Sequence, residues 1–336
     1  MWKSAIAAIA AIASAALLAA AASAADSKPI VLLNVSYDPT RELLRAIGSA
    51  FRAQYAKDHG ATVTVKQSHG GSGSQARAVI DGLEADVVTL ALWPDVDAIR
   101  KVGLIAEGWE KRVPNNSSPW SSTIVFVVRK GNPKGIEDWP DIVKPGIEIV
   151  TPNPKTSGNG KLSLLAAWGS VTERGGSEED AKAFVTKLYK QAPVLDSAAR
   201  GSTTTFAQKK IGDVHLTWEN EAYLELAEAG GELELVTPPI SILAEPPVAL
   251  VDANVDRRGT RQAAEAYLRF LYGPDGQEIV AKNYYRPFDR EVLSRHAATF
   301  KETRLFPVTA IAKDWNEVTK KFFADGAIFD SIYKRD

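Results

Sequence analysis

Gln67-Ser-His-Gly-Gly-Ser-Gly-Ser-Gln-Ala-Arg-Ala-Val-Ile80 reads as the end of a strand, a glycine turn and the start of a helix. The strand-like run Ala61–Gln67 leads in, and Ala76, Val79, Ile80 and Leu83 make an apolar stripe at helical spacing after the turn. The pattern recurs. Lys155-Thr-Ser-Gly-Asn-Gly160 follows the run Ile147–Val150 and precedes a stripe of Leu162, Leu165, Ala166 and Gly169, and Asp196-Ser-Ala-Ala-Arg-Gly-Ser202 is a third loop of the same composition. Further strand-like runs lie at Ile30–Ser36, Ala85–Ala91, Thr123–Val128, Val214–Trp218, Leu233–Val236 and Val248–Val251. Helical patterns lie between and after them, at Leu43–Phe51, Ser177–Tyr189, Gln262–Tyr272 and Trp315–Phe323. Strands alternating with helices imply an α/β chain with parallel sheets.

The three loops carry backbone N–H and hydroxyl donors and almost no acidic groups. At a helix start the first N–H groups lack intrahelical acceptors and the helix dipole adds partial positive charge, so such loops suit a small oxyanion. In open α/β sheets ligands bind beyond the carboxyl ends of strands, where turns of this kind gather. Asp38-Pro39 before Leu43, Ile47, Ala50 and Phe51 reads as an N-cap followed by proline at the first helical position.

The chain begins Met1-Trp-Lys3, continues through a nearly all-apolar stretch at 5–22 and reaches Ala22-Ser-Ala24, the pattern of a cleaved secretory signal spanning 1–24. No later stretch approaches the ~20 apolar residues that span a bilayer. Loss of Lys3 with the signal leaves 39 basic against 41 acidic residues, with the signs interspersed. That balance argues against a nucleic-acid binder, which needs a clustered basic face. Cysteine is absent, so an exported chain of this kind must rely on its core, and a periplasmic location is expected. About 310 mature residues suit two domains. Pro114–Pro119 and Thr237–Pro247, each meeting an apolar strand, mark the crossings: 25–120 and 248–336 form lobe I, and 121–247 forms lobe II. Two lobes joined in this way can hinge about a ligand.

Enzymatic motifs are incomplete. His69-Gly-Gly-Ser72 resembles an esterase oxyanion element, but no G-x-S-x-G elbow accompanies it. Gly158-Asn-Gly-Lys161 lacks the upstream glycine of a phosphate loop and has Leu162 where Ser or Thr belongs. His59, His69, His215 and His296 lack metal-ligand spacing. An exported hydrolase using Ser72 remains an alternative that needs a base within hydrogen-bond reach.

A specific resemblance runs along nearly the whole mature chain. Leu33-Asn-Val-Ser-Tyr-Asp-Pro-Thr-Arg-Glu-Leu43, Gln67–Gly73, Ala85–Ala91, Ile149–Lys155, Leu195-Asp196, Ala199–Ser202, Thr217-Trp-Glu-Asn-Glu221, Ile242–Pro246 and Tyr285-Arg-Pro287 resemble, in order, the periplasmic sulfate-binding proteins of ABC importers. The resemblance implies the type II periplasmic binding protein fold, two α/β lobes with the anion between them, and no cofactor. It implies a monomer that delivers sulfate, or alternatively thiosulfate or another tetrahedral oxyanion, to a membrane permease. Carried onto matching positions, the ligands are the backbone N–H groups of Asp38, Gly158, Asn159 and Ala199, the hydroxyls of Ser72 and Ser157, and the Trp218 indole.

Neutral donors suffice in principle, because charge-assisted hydrogen bonds contribute ~1.5–3 kcal/mol each and together replace lost solvation. A donor-only pocket also leaves the proton of hydrogen phosphate unpaired. On this reading Asp38 caps its own helix and faces away, Arg200 acts behind the site, and Lys155 and Lys161 steer anions or are solvated. Asn159 and Ala198 stand where the family commonly has glycine; the Asn159 side chain is placed to add a contact suited to a larger anion such as thiosulfate.

Overall fold

The computed structural model describes residues 29–333. The expected signal segment, 1–24, lies outside the described residues. Among the described residues no helix is long and apolar enough to cross a membrane.

Two sheets organise the chain. The first runs Val248–Leu250, Val87–Thr89, Ile30–Tyr37, Val63–Gly70, with Ile30–Tyr37 parallel to both neighbours and Val248–Leu250 antiparallel at the edge. Leu43, Leu44, Ile47 and Phe51 bury one face of helix Arg41–His59, which ends at Gly60 in the left-handed region (φ 62°) with its amide on the Ala56 carbonyl. The second sheet runs Leu195–Asp196, Ile149–Pro152, Val214–Trp218, Ile124–Arg129, Leu233–Val236. Ile124–Arg129 is apolar on both faces because both are covered: Phe126 meets Trp139 edge-on at 4.8 Å, while Val125 and Val127 join Phe206 and Ala222 on the other side. Helix Gly158–Thr172 is buried almost all round, so its sequence reads as generally apolar rather than striped.

The chain crosses between the sheets at Trp120–Ser121, which pairs antiparallel with Arg286–Pro287, and at the Ser122–Ala244 bridge. Arg286 braces this region with a bidentate pair to buried Glu219 at 2.7 and 2.8 Å.

The end of the described chain reaches both sheets' helices: Arg304–Phe306 pairs in parallel with Ile240–Ile242, Trp315–Val318 packs on the helix Trp93–Lys101, and Ile328–Ile332 packs on the helix Glu178–Lys190. Phe322 lies edge-on to Trp168 at 4.9 Å, and Phe329 to Tyr189 at 5.2 Å. Lys155, read as an anion-steering or solvated cation, instead pins this segment through the Phe323 carbonyl and Asp330, both at 2.9 Å. Gly169 has no side chain because the Phe306 ring fills that space: a Cβ there would stand 2.2 Å from the ring.

Candidate functional site

Strand ends and the helices that follow them converge on one small cavity. Its walls are Tyr37, Asp38, Pro39, Gly70, Gly71, Ser72, Ala91, Ser157, Gly158, Asn159, Ala199 and Trp218, so all seven residues singled out from the sequence share one space. Asp38 and Ser72 come from the first sheet's side, the other five from the second.

Each wall follows from the local fold. Ile30–Tyr37 ends in the turn Asp38–Thr40; Val63–Gly70 ends at Gly71, the cap of helix Ser72–Ile80; Ser157 caps helix Gly158–Thr172; Ala198 precedes helix Ala199–Thr203; Trp218 precedes helix Glu219–Glu228. The amides of Asp38, Ser72, Gly158, Asn159 and Ala199 therefore sit in first turns, where no preceding carbonyl of the same helix accepts them. Dipoles of these helix starts point positive ends at the cavity without any cation lining it. The Ser157 oxygen accepts the Gly160 amide at 3.4 Å, so its hydroxyl hydrogen stays available to the cavity. Trp218 is fully buried, its ring 5.5 Å from that of Tyr37, and its indole N–H faces no acceptor among the described residues.

Two expected roles change. The Ser72 hydroxyl donates to Asp95 Oδ2 at 2.5 Å and its oxygen accepts the Ala91 amide at 2.9 Å. Its hydrogen is directed to Asp95, and its backbone N–H, at the start of the helix, has no preceding carbonyl of that helix to accept it. Asp38 is not an N-cap: the preceding Tyr37 holds that position, without a side-chain bond. The Asp38 carboxylate instead takes the Arg41 guanidinium through Nε at 3.0 Å and Nη2 at 2.5 Å, and Arg41 wins because it lies three residues on, over the same turn.

The departures from glycine are accommodated. Ala198 is extended (φ −150°, ψ 166°), a conformation open to any residue, and Asn159 is helical. Its Oδ1 accepts the Ser163 hydroxyl at 3.0 Å.

Around the cavity, charges are paired with one another. Arg200 binds Glu221 bidentately at 3.0 Å and reaches Glu42 at 3.2 Å, joining the two sides of the cleft behind the wall. Burial pushes the Glu221 carboxyl up to about 8 against the pull of Arg200. Lys161 lies 3.9 Å from Asp95, again across the cleft. His69 stands beside the first loop with Nδ1 on the Ser36 hydroxyl at 2.7 Å and Nε2 on Gln67 at 3.0 Å. Burial, aided by Arg41, lowers its pKa to about 4.

Asp95 and Ala91 were missed by sequence reasoning. Their signal was present: Trp93-Pro-Asp95 opens another helix straight after a strand, a further strand-to-helix turn of the kind that supplied the other walls.

Comparison with known proteins points the same way. The model of the family described as bacterial extracellular solute-binding protein matches residues 32–286. A protein of Escherichia coli K12 named sulfate-binding protein is 53% identical over 311 residues, 92% of this chain and 94% of that one. The thiosulfate-binding protein of Pseudomonas aeruginosa is 50% identical over 304 residues, 90% of this chain and 92% of its own. Among solved structures, the sulfate-binding protein SubI from Mycobacterium tuberculosis superposes with a TM-score of 0.80 at 32% identity, covering 88% of this chain and 99% of its own. With its two mixed sheets, crossing segments and cleft between them, the chain belongs to the bacterial extracellular solute-binding proteins and has the type II periplasmic binding protein fold.

Proposed function

We propose that this chain captures sulfate in the cleft and delivers it to the membrane permease of an ABC importer, working as a periplasmic monomer without catalysis. One observation carries the reading: seven residues that can each offer a neutral N–H or O–H donor line one small cavity, with no lysine or arginine in its wall and no metal-binding cluster among the described residues. The donors are the amides of Asp38, Ser72, Gly158, Asn159 and Ala199, the Ser157 hydroxyl and the Trp218 indole. At ~1.5–3 kcal/mol each they offset the desolvation of a dianion, and helix starts add to them.

We assign residues 29–120 and 248–303 to the first lobe and 121–247 and 304–333 to the second. Opening about 120–122, 244 and 286–287 admits the anion; closing brings Asp38 and Ser72 against the other five.

A non-catalytic role is supported by the occupied groups. Ser72 Oγ has a carboxylate and an amide as partners and no imidazole, and both nitrogens of His69 are engaged elsewhere. Thiosulfate is the second reading, favoured by the 50% identity to a thiosulfate-binding protein.

Calorimetric titration of the protein with sulfate, thiosulfate, phosphate and molybdate between pH 6 and 8 tests the proposal. Sulfate is expected to bind tightly with little pH dependence and phosphate far more weakly. Equal affinity for phosphate, or no heat with any anion, overturns it.

A further inference from the structure

Asn159 is the second residue of a fifteen-residue helix, lines the cavity and is 1% exposed. With Oδ1 turned to the Ser163 hydroxyl, Nδ2 is left buried with no hydrogen-bond partner among the described residues. Buried amide donors in native proteins are nearly always satisfied, so this one calls for an acceptor that the chain itself does not supply. A carboxamide serving its own helix would direct Oδ1 at first-turn amides; this one directs it at Ser163 instead. What remains without a partner is an uncharged NH₂ group on a residue that lines the cavity, chemically of the same kind as the donors already assembled there.

Resting on the oxyanion reading of the cavity, we propose that Asn159 Nδ2 is an eighth donor to the bound anion and sets which tetrahedral oxyanion is preferred. Because oxygen is a strong acceptor and divalent or terminal sulfur a weak one, a carboxamide at this point favours sulfate over thiosulfate. The residue thus contributes twice, by its backbone amide and by its side chain. Its size does not call for a larger guest: the enclosed space is small, and Gly158 next to it already touches the opposite wall.

The test is calorimetry with sulfate and with thiosulfate on the wild type, Asn159→Ala and Asn159→Asp, alongside melting curves of the anion-free proteins. Asn159→Ala is expected to lower sulfate affinity roughly tenfold or more and thiosulfate affinity by less. Asn159→Asp, of equal shape but negative, should lose more sulfate affinity than the alanine variant. In ¹⁵N-labelled protein the Asn159 side-chain amide resonances should shift when sulfate is added. An alanine variant that binds both anions like wild type but melts lower shows a purely structural amide, held through buried water, and overturns the inference. A wild type that takes up neither anion overturns the oxyanion reading itself and this inference with it.

Discussion

Gly158 and Ala91 touch across the cleft so closely that a methyl group on Gly158 would stand 2.5 Å from the Ala91 Cβ. Gly71 is as tight on its side, where a Cβ would lie 2.8 Å from the Thr156 carbonyl oxygen. Gly158→Ala should therefore hold the halves apart, at a cost of ~1–3 kcal/mol, which is roughly ten- to hundred-fold in sulfate affinity. Calorimetry reads the loss, and small-angle scattering should show a smaller contraction on adding sulfate than in wild type. Unchanged affinity would argue that the halves do not close on these glycines.

The two serines are expected to behave differently. Ser157→Ala removes a donor with a free hydrogen and should weaken sulfate binding by ~1.5–3 kcal/mol, roughly ten- to hundred-fold, and loss of the helix cap should lower stability by ~0.5–2 kcal/mol. Ser72→Ala strands the buried Ala91 amide and leaves Asp95 without its partner, so its main effect should be a loss of ~1–3 kcal/mol in stability, measured by urea unfolding without anion. If Ser72→Ala leaves stability intact and abolishes binding, its hydroxyl is the donor after all.

Trp218→Phe keeps a ring against Tyr37 but deletes the indole N–H. Sulfate affinity should drop by about the value of one charge-assisted hydrogen bond, ~1.5–3 kcal/mol, and the change in tryptophan emission on binding should shrink. An affinity matching wild type would relegate Trp218 to the core.

His69 gives a pH signature. Its pKa is lowered from 6.5 to about 4, so between these values the unfolded chain takes up a proton that the folded chain refuses. Stability contributed by the neutral ring is full above pH 6.5 and declines as pH falls toward 4. His69→Gln should flatten the difference in urea midpoint across that window, and the imidazole resonances of the folded wild type should titrate near 4. A normal titration near 6.5 would contradict this.

The cavity was legible because its makers are local. Gly70–Gly73 and Ser157–Gly160 announce themselves as strand-to-helix turns within a few residues, and alternating apolar runs located Val214–Trp218 and Leu233–Val236 to the residue. What escaped depends on distance. Nothing near Ser72 signals that a carboxylate 23 positions later takes its hydrogen, and a cap reading of Asp38 ignores the competing Arg41. The short strands Ile240–Ile242 and Arg304–Phe306 lack enough residues for any alternation to register, so their pairing is not legible in the sequence.

That late pairing bears on how the molecule is made. The edge strand Val248–Leu250 completes one sheet, and Arg304–Phe306 with the helices after it covers the other, so both halves wait for about the final quarter of the chain. A polypeptide emerging amino end first, from a ribosome or through a secretion channel, cannot finish either half while its tail is still inside. It stays without a finished sheet for longer as it emerges. A chain stopped at residue 247 should accordingly show no cooperative melting transition.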